Sequence, residues 1–290
     1  MKNLQDLVNE MNYLGLYPNI NKIRTDGEIM RFPTKGKPHK KNGWGVIYLH
    51  GDLINAVFGD FQLQEKHSWC NKAKLNAKEK IIIYEQYKDA IEKIEAEKIR
   101  NLKLFISYYN KNVRKLINPH RYMITKKINN ILKMSISNNL GTDRFGNLII
   151  PIRSIESELM GIQKINKNGN KWFNKGAYKH GNFFNIIASG LLINDCDTIF
   201  IGEGFSTMAS VYLSQNNYFE TANYCCIVAF DVNNIEPVLI NVWNKYGNKN
   251  IVLVADNDRE NEINVGVKKC TEIKAKYPHK SIIVYIPEEF

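Results

Sequence analysis

The chain has 290 residues, 44% of them hydrophobic and 24% charged, an ordinary soluble composition that can bury one sizeable core and a smaller second one. Met1 opens a segment that carries Asp6 and Glu10 with no long apolar core, and no apolar stretch is long enough to span a bilayer, so a secretory signal and a membrane span are not expected and a cytoplasmic protein is the default. The formal charge of +11 is unevenly placed: residues 1–140 hold 25 Lys and Arg against 13 Asp and Glu, whereas residues 141–290 hold 15 against 16, the pattern of a basic half that attracts a polyanion beside a half with acid to spare for a cation.

Residues 1–72 read as a small mixed domain. A helix is expected near Leu4 to Leu14, and the β-formers from Gly43 to His50 and from Leu53 to Phe61, joined at Gly51-Asp52, predict a hairpin. The basic run Lys35 to Lys41 precedes Trp44, Tyr48, Phe58, Phe61 and Trp69, a mixture that suits stacking and phosphate contact with single-stranded nucleic acid; a small sheet that uses the same rings as its core fits equally well. His67 and Cys70 are too few for a closed zinc site, and no zinc is expected. The five cysteines contain no Cys-x-x-Cys pair and read as reduced, buried thiols.

From about Asn71 to Asn110, Tyr84, Tyr87, Ile91, Ile94, Leu102 and Phe105 recur at helical spacing with Lys and Glu between them, which predicts one long amphipathic helix serving as linker over 73–117. A second compact region, 118–190, opens at Asn118-Pro119-His120-Arg121-Tyr122. Its short β-rich runs, 144–153, 159–165 and 171–176, are separated by Gly and Asn and imply a curled antiparallel sheet.

The last hundred residues, 191–290, alternate strands (198–202, 225–230, 250–255, 281–286) with helices (206–215, 235–246, 263–276), the pattern of a parallel α/β sheet. Neither a dinucleotide fingerprint nor a P-loop is present, so ATP hydrolysis by this chain alone is not expected. Two of the apolar strands end abruptly in acid, the first at Glu203 and the other at Asp256 and Asp258. In open α/β folds these carboxyl ends form the ligand crevice. Two acids two residues apart on extended backbone point the same way and can share a cation, and hard oxygen ligands favour Mg2+ or Mn2+ over zinc. Taken alone, Asp-Asn-Asp is also common turn chemistry, and Ser206 or Thr207 could be only a helix cap. Asp231, at another strand exit, is a weaker candidate for which a capping role is at least as good, and His120 reads as structural.

The order Glu203-Gly204 followed by Asp256-Asn257-Asp258 resembles the Toprim domain, the metal-binding fold shared by bacterial-type primases, topoisomerases and some nucleases, in which a glutamate follows the first strand and an Asp-x-Asp a later one. Upstream, Pro119-His120-Arg121-Tyr122, Ile149-Ile150-Pro151-Ile152, Gly161-Ile162-Gln163 and Lys171-Trp172-Phe173-Asn174-Lys175-Gly176 resemble the segment before Toprim in the primases of plasmids, phages and mobile elements. The likeness continues through Ala229-Phe230-Asp231, Asn234 and Asn264-Val265-Gly266, and covers about Pro119 to Pro287. It implies a DNA-dependent primase that makes short RNA primers on single-stranded DNA from ribonucleoside triphosphates, with Asp256 and Asp258 as metal ligands and Glu203 as a further ligand or an acid/base. It also implies that Arg144, Arg153, Lys164, Lys171 and Lys175 face template and nucleotide. The family is often continued by a helicase, so a replicative helicase is an expected partner and the chain reads as a fragment or a stand-alone module. A Toprim nuclease and a non-catalytic Toprim adaptor are the rival readings; a topoisomerase would need a tyrosine nucleophile in a large gate domain.

Overall fold

A computed structural model describes residues 3–36, 38–61, 65–134, 139–218, 223–247, 249–256 and 264–287. The chain divides into two compact units, 1–100 and 101–290. No described helix is long and apolar enough to cross a membrane.

In the first unit, α1 (Leu4–Tyr13) starts at a capping box: the Asn3 side chain accepts from Asp6 N at 3.1 Å while Asp6 Oδ2 accepts from Asn3 N at 2.7 Å. Four strands, β1 (Met30–Phe32), β2 (Gly43–His50), β3 (Leu53–Asp60) and β4 (Glu65–Cys70), form one antiparallel sheet in sequence order. The expected hairpin is β2–β3, closed by Gly51-Asp52 between the paired His50 and Leu53. Both faces of the sheet are covered. Phe32, Ile47, Phe58 and Trp69 pack with Leu7 and Met11 of α1, while Trp44, Val46 and Val57 pack with Ala90 and Ile94 of α2 (Ala77–Asn112), whose first two dozen residues belong to this unit. Trp44, Phe58 and Trp69 are therefore core residues, and of the two roles the sequence left open to these three rings the structure selects packing. His67 and Cys70 lie three residues apart on β4, so the pleat directs them to opposite faces.

The second unit begins within α2, whose Phe105 packs on Ile149 and Ile162. The strands β5 (Val113–Lys115), β6 (Gly141–Asp143), β7 (Leu148–Arg153), β8 (Leu159–Ile165) and β9 (Lys171–Phe173) form an antiparallel sheet in sequence order, with α3 (Arg121–Thr125) between β5 and β6. The other sheet runs β10 (Phe184–Ile187), β12 (Tyr224–Val228), β11 (Thr198–Gly202), β13 (Asn250–Val254) and β14 (Ile282–Tyr285). Four of its strands are parallel, and β10 joins them as an antiparallel edge on β12. That fifth strand comes from the segment Phe184-Asn185-Ile186-Ile187, which lies before residue 191.

Helix α4 (Phe205–Tyr218) covers one face of this sheet, and α5 (Ile235–Tyr246) and α6 (Val265–Lys276) cover the other. Pleat alternation sorts the side chains: Ile199 and Ile201 face Val238, Leu239, Cys270 and Ile273, whereas Phe200 faces the side of Met208 and Tyr212. Ile150, Ile152 and Ile165 of the antiparallel sheet complete the core on the α4 side, so the two sheets share one apolar layer. Four cysteines are buried, Cys70 is half-buried, and all five are free thiols.

Candidate active site

The register of the parallel strands decides which side chains meet at their exits. Gly202 is paired with Val254 on one side and with Val228 on the other, so Glu203 leaves β11 flanked by Ala255 and Ala229. Backbone bonds carry the pairing just beyond the strands, with Ala229 N donating to Gly202 O at 2.8 Å and Phe230 N to Glu203 O at 2.9 Å. The Asp256 carboxylate lies over the next residue of the first exit: a Cβ on Gly204 would sit 3.4 Å from Asp256 Oδ2. On its other side Asp256 meets the first turn of α6, where a Cβ on Gly266 would lie 2.8 Å from Asp256 O. Helix α4 starts directly after Gly204, with Met208 N donating to Gly204 O at 3.0 Å, so the positive end of its dipole lies beside Glu203.

Glu203 and Asp256 thus converge. The buried thiol of Cys270 reports both: burial first, then the nearby charges of Asp256 and Glu203, push its pKa up to about 11. Asp258 lies outside the described residues, and among the described ones no group of three His, Cys, Asp or Glu side chains forms a metal cluster. Two carboxylates at adjacent strand exits are hard oxygen donors suited to a divalent cation such as Mg2+ or Mn2+, and the one soft group near them among the described residues, the buried Cys270 thiol, is held protonated by its raised pKa.

Two features at these exits were not legible as site features. Phe230 has φ +67°, a left-handed conformation that is costly for an aromatic residue and that turns the chain sharply after β12. Its ring packs edge-on to Phe173 with centroids 6.0 Å apart. Over Phe173 sits the Lys179 ammonium, 4.7 Å from the ring centroid, and it donates to Asp231 Oδ2 at 2.7 Å. Asp231 is also a cap, accepting from Asn233 N at 3.1 Å. Among the described residues Lys179 is a basic group tied to the strand exits, and a signal for it exists in the sequence: from Glu158 to Asp195 no acid intervenes, while Lys164, Lys167, Lys171, Lys175 and Lys179 fall in that stretch.

The five basic residues singled out from the sequence are dispersed. Arg144 is exposed on the β6–β7 turn with its guanidinium 4.7 Å from the Phe145 ring centroid. Lys171 is exposed at the start of β9, 5.7 Å from the Tyr122 ring, and Lys175 is exposed on the turn that follows. Arg153 lies at the opposite end of β7 and donates to Ser157 O at 2.9 Å. Lys164 is engaged within the fold, its ammonium 3.1 Å from the buried Asp143 carboxylate and 3.3 Å from Tyr108 Oη. His120 caps α3: Nδ1 accepts from Tyr122 N at 3.2 Å, and Nε2 lies 2.9 Å from Gly146 O.

No protein-family model matches the chain. Over 118 residues, 41% of this chain, it is 28% identical to DNA primase TraC of Escherichia coli, and the match spans 10% of that protein's length. Among solved structures, the primase fragment of the bacteriophage T7 primase-helicase protein aligns with a TM-score of 0.44 at 12% identity over 62% of this chain and 68% of the fragment. A chain from bacteriophage T7 lagging-strand DNA polymerase with primase domains bound to an RNA/DNA hybrid aligns at 0.38 and 13%, over 52% of this chain and 70% of that one.

Proposed function

We propose that the chain holds a Toprim-type primase core that makes short RNA primers on single-stranded DNA by metal-dependent nucleotidyl transfer, in the replication of a plasmid, phage or other mobile element. The observation that carries this reading is the convergence of Glu203 and Asp256 at adjacent exits of parallel strands, with the Asp256 carboxylate against Gly204. The partial match to DNA primase TraC supports the choice of primase over other chemistries that use paired acids.

In this reading Asp256, with Asp258, holds Mg2+ or Mn2+, and Glu203 either completes the ligand set or accepts the proton of the attacking 3′ hydroxyl. Such an ion would supply charge stabilisation to the attacking and leaving oxygens of an in-line displacement at an α-phosphate. Lys179, bonded to Asp231 after β12, would in this reading exchange that carboxylate for the charge of an incoming ribonucleoside triphosphate. Arg144 and Lys175, exposed on turns of the antiparallel sheet, and Lys171, exposed at the start of β9, meet the template phosphates in this reading. A replicative helicase is the expected protein partner.

The test is incubation of the protein with single-stranded DNA, labelled ribonucleotides and Mg2+ or Mn2+, with products resolved by length. Short labelled oligomers that disappear in a folded Asp256→Ala variant are expected. Shortening of the DNA without synthesis would reassign the same acids to a nuclease, and full synthesis by Asp256→Ala would refute the site.

A further inference from the structure

Asn234, at the start of α5, is 5% exposed, and its amide is the meeting point of four backbone groups. Its Nδ2 lies 2.8 Å from Lys179 O, 3.0 Å from Asn182 O and 2.8 Å from Ala229 O, while Oδ1 accepts from Gly181 N at 2.7 Å. An amide flip would set the oxygen against three carbonyls and the NH2 against an N–H, so the orientation is fixed by its surroundings. Two turns further along α5, Asn241 Nδ2 donates to Gly181 O at 2.9 Å. Gly181 is therefore gripped at both its N–H and its C=O by side chains of α5. Its φ of +69° and a would-be Cβ 2.5 Å from Asn241 Nδ2 exclude any larger residue there without rearrangement.

These contacts join segments about fifty residues apart. The loop Lys179 to Asn182 belongs to the basic, acid-free stretch, and Ala229 is the residue whose N–H extends the pairing of β12 onto Gly202 beside Glu203. Fixing Lys179 O and Ala229 O to the same amide fixes the base of the Lys179 side chain relative to the strand exits. From that base the ammonium reaches across Phe173 to Asp231.

We propose that Asn234 is a positioning residue: its amide docks the Lys179–Asn182 loop on the exit of β12 and so holds the Lys179 ammonium where the triphosphate of an incoming nucleotide binds. The role rests on the nucleotidyl-transfer reading for the identity of the ligand, and on the hydrogen bonds above for the mechanism. Asn234 itself touches no substrate. Its effect on nucleotide affinity passes through Lys179.

The experiment is a double-mutant cycle on the affinity for a ribonucleoside triphosphate in Mg2+, read by calorimetry on the full chain. Asn234→Asp keeps the acceptor for Gly181 N and replaces the donor with an oxygen facing three carbonyls. It is expected to weaken binding by about tenfold or more, as Lys179→Ala does, and the double variant to bind no more weakly than Lys179→Ala alone. Val238→Ala, a core truncation in the same helix, is the stability-matched control and should lower Tm while leaving affinity unchanged. Affinity for a single-stranded oligonucleotide should be unaltered in all four. Additive losses in the double variant, or an Asn234→Asp protein that melts earlier but binds like Val238→Ala, would overturn the proposal, as would a wild-type chain that binds no triphosphate. Triphosphate binding with the expected cycle but without primer synthesis would leave the positioning role standing and refute only the primase reading.

Discussion

The Lys164 ammonium lies 3.1 Å from Asp143 Oδ2, with 13% of the lysine side chain and none of the aspartate side chain exposed. This ion pair divides the basic residues of the antiparallel sheet into two kinds. A cation that balances a buried carboxylate supports the fold and is poorly placed to leave for a phosphate, whereas Lys171 and Lys175 are exposed. We therefore expect Lys171→Ala and Lys175→Ala each to weaken single-stranded DNA binding and to reduce its salt slope by about 1, with unchanged thermal stability. Lys164→Met should do the reverse, lowering Tm and leaving the salt slope intact. Binding titrations at several salt concentrations read the first effect and thermal melts the second; a slope change in Lys164→Met would show that its ammonium also meets phosphate.

The same carboxylate makes stability depend on pH. Burial pushes the Asp143 carboxyl up, but the Asn147 side chain and N–H, Lys164 and the Phe145 N–H together hold it below the ordinary aspartate range. A depressed folded value contributes stability that is fully present above the unfolded pKa of about 3.9 and is lost as pH falls through the lower folded value. Asp143→Asn should therefore be less stable than the wild type by about 2 kcal/mol near neutrality, with the gap closing as the pH drops below about 4. Urea unfolding across that range measures it. A gap independent of pH would mean that shape, and not charge, is what Asp143 contributes.

In the first unit the rings are the point at issue. Trp44 is 2% exposed and shares a cluster with Val46, Val57, Ala90 and Ile94. Its truncation to alanine should cost about 3 to 5 kcal/mol of stability through lost burial and the cavity left behind. Any effect on DNA binding should then track unfolding and vanish when binding is compared at equal folded fraction. Tyr13, 87% exposed at the end of α1, is by contrast a ring available to solvent, and Tyr13→Ala should leave Tm unchanged.

How much of this was legible depended on whether a feature was local. The parallel strands were, because Ile-Val-Leu-Val and its counterparts are uninterrupted apolar runs that end at a polar exit, and the hairpin of the first unit announced itself through Gly51-Asp52. Strand β10 was not: Phe184-Asn185-Ile186-Ile187 is four residues long and becomes a strand by pairing with Tyr224–Val228 some forty residues later. Composition showed that aromatics were present in the first unit but not which face of the sheet they take, and that choice is made by α1 and α2. Glu203 and Asp256 stood out because acid after a buried strand is locally conspicuous, and the structure sets their two exits side by side. Lys179 and Asn234 were missed because their meaning lies in contacts across about fifty residues, invisible to any spacing rule.

The place of Gly266 in the first turn of α6 makes stability and activity separable. Alanine is ordinarily favoured over glycine in a helix by up to about 1 kcal/mol, so Gly266→Ala should not unfold the chain. Its new Cβ would nevertheless stand 2.8 Å from Asp256 O and 3.2 Å from Asp256 N, too close to both, and the neighbouring group is backbone that cannot rotate away. The adjustment must move Asp256; in the primase reading Asp256 is a catalytic ligand, and a displacement near 1 Å of such a group costs on the order of a hundredfold in rate. Gly266→Ala is thus expected to keep a Tm within a few degrees of the wild type and to lose most primer synthesis, whereas Lys268→Ala, exposed two residues further along α6, keeps both. Primer assays paired with thermal melts decide it. Wild-type synthesis by Gly266→Ala would mean that α6 does not set the position of Asp256, and that the carboxylate is held in place from the β11 side alone.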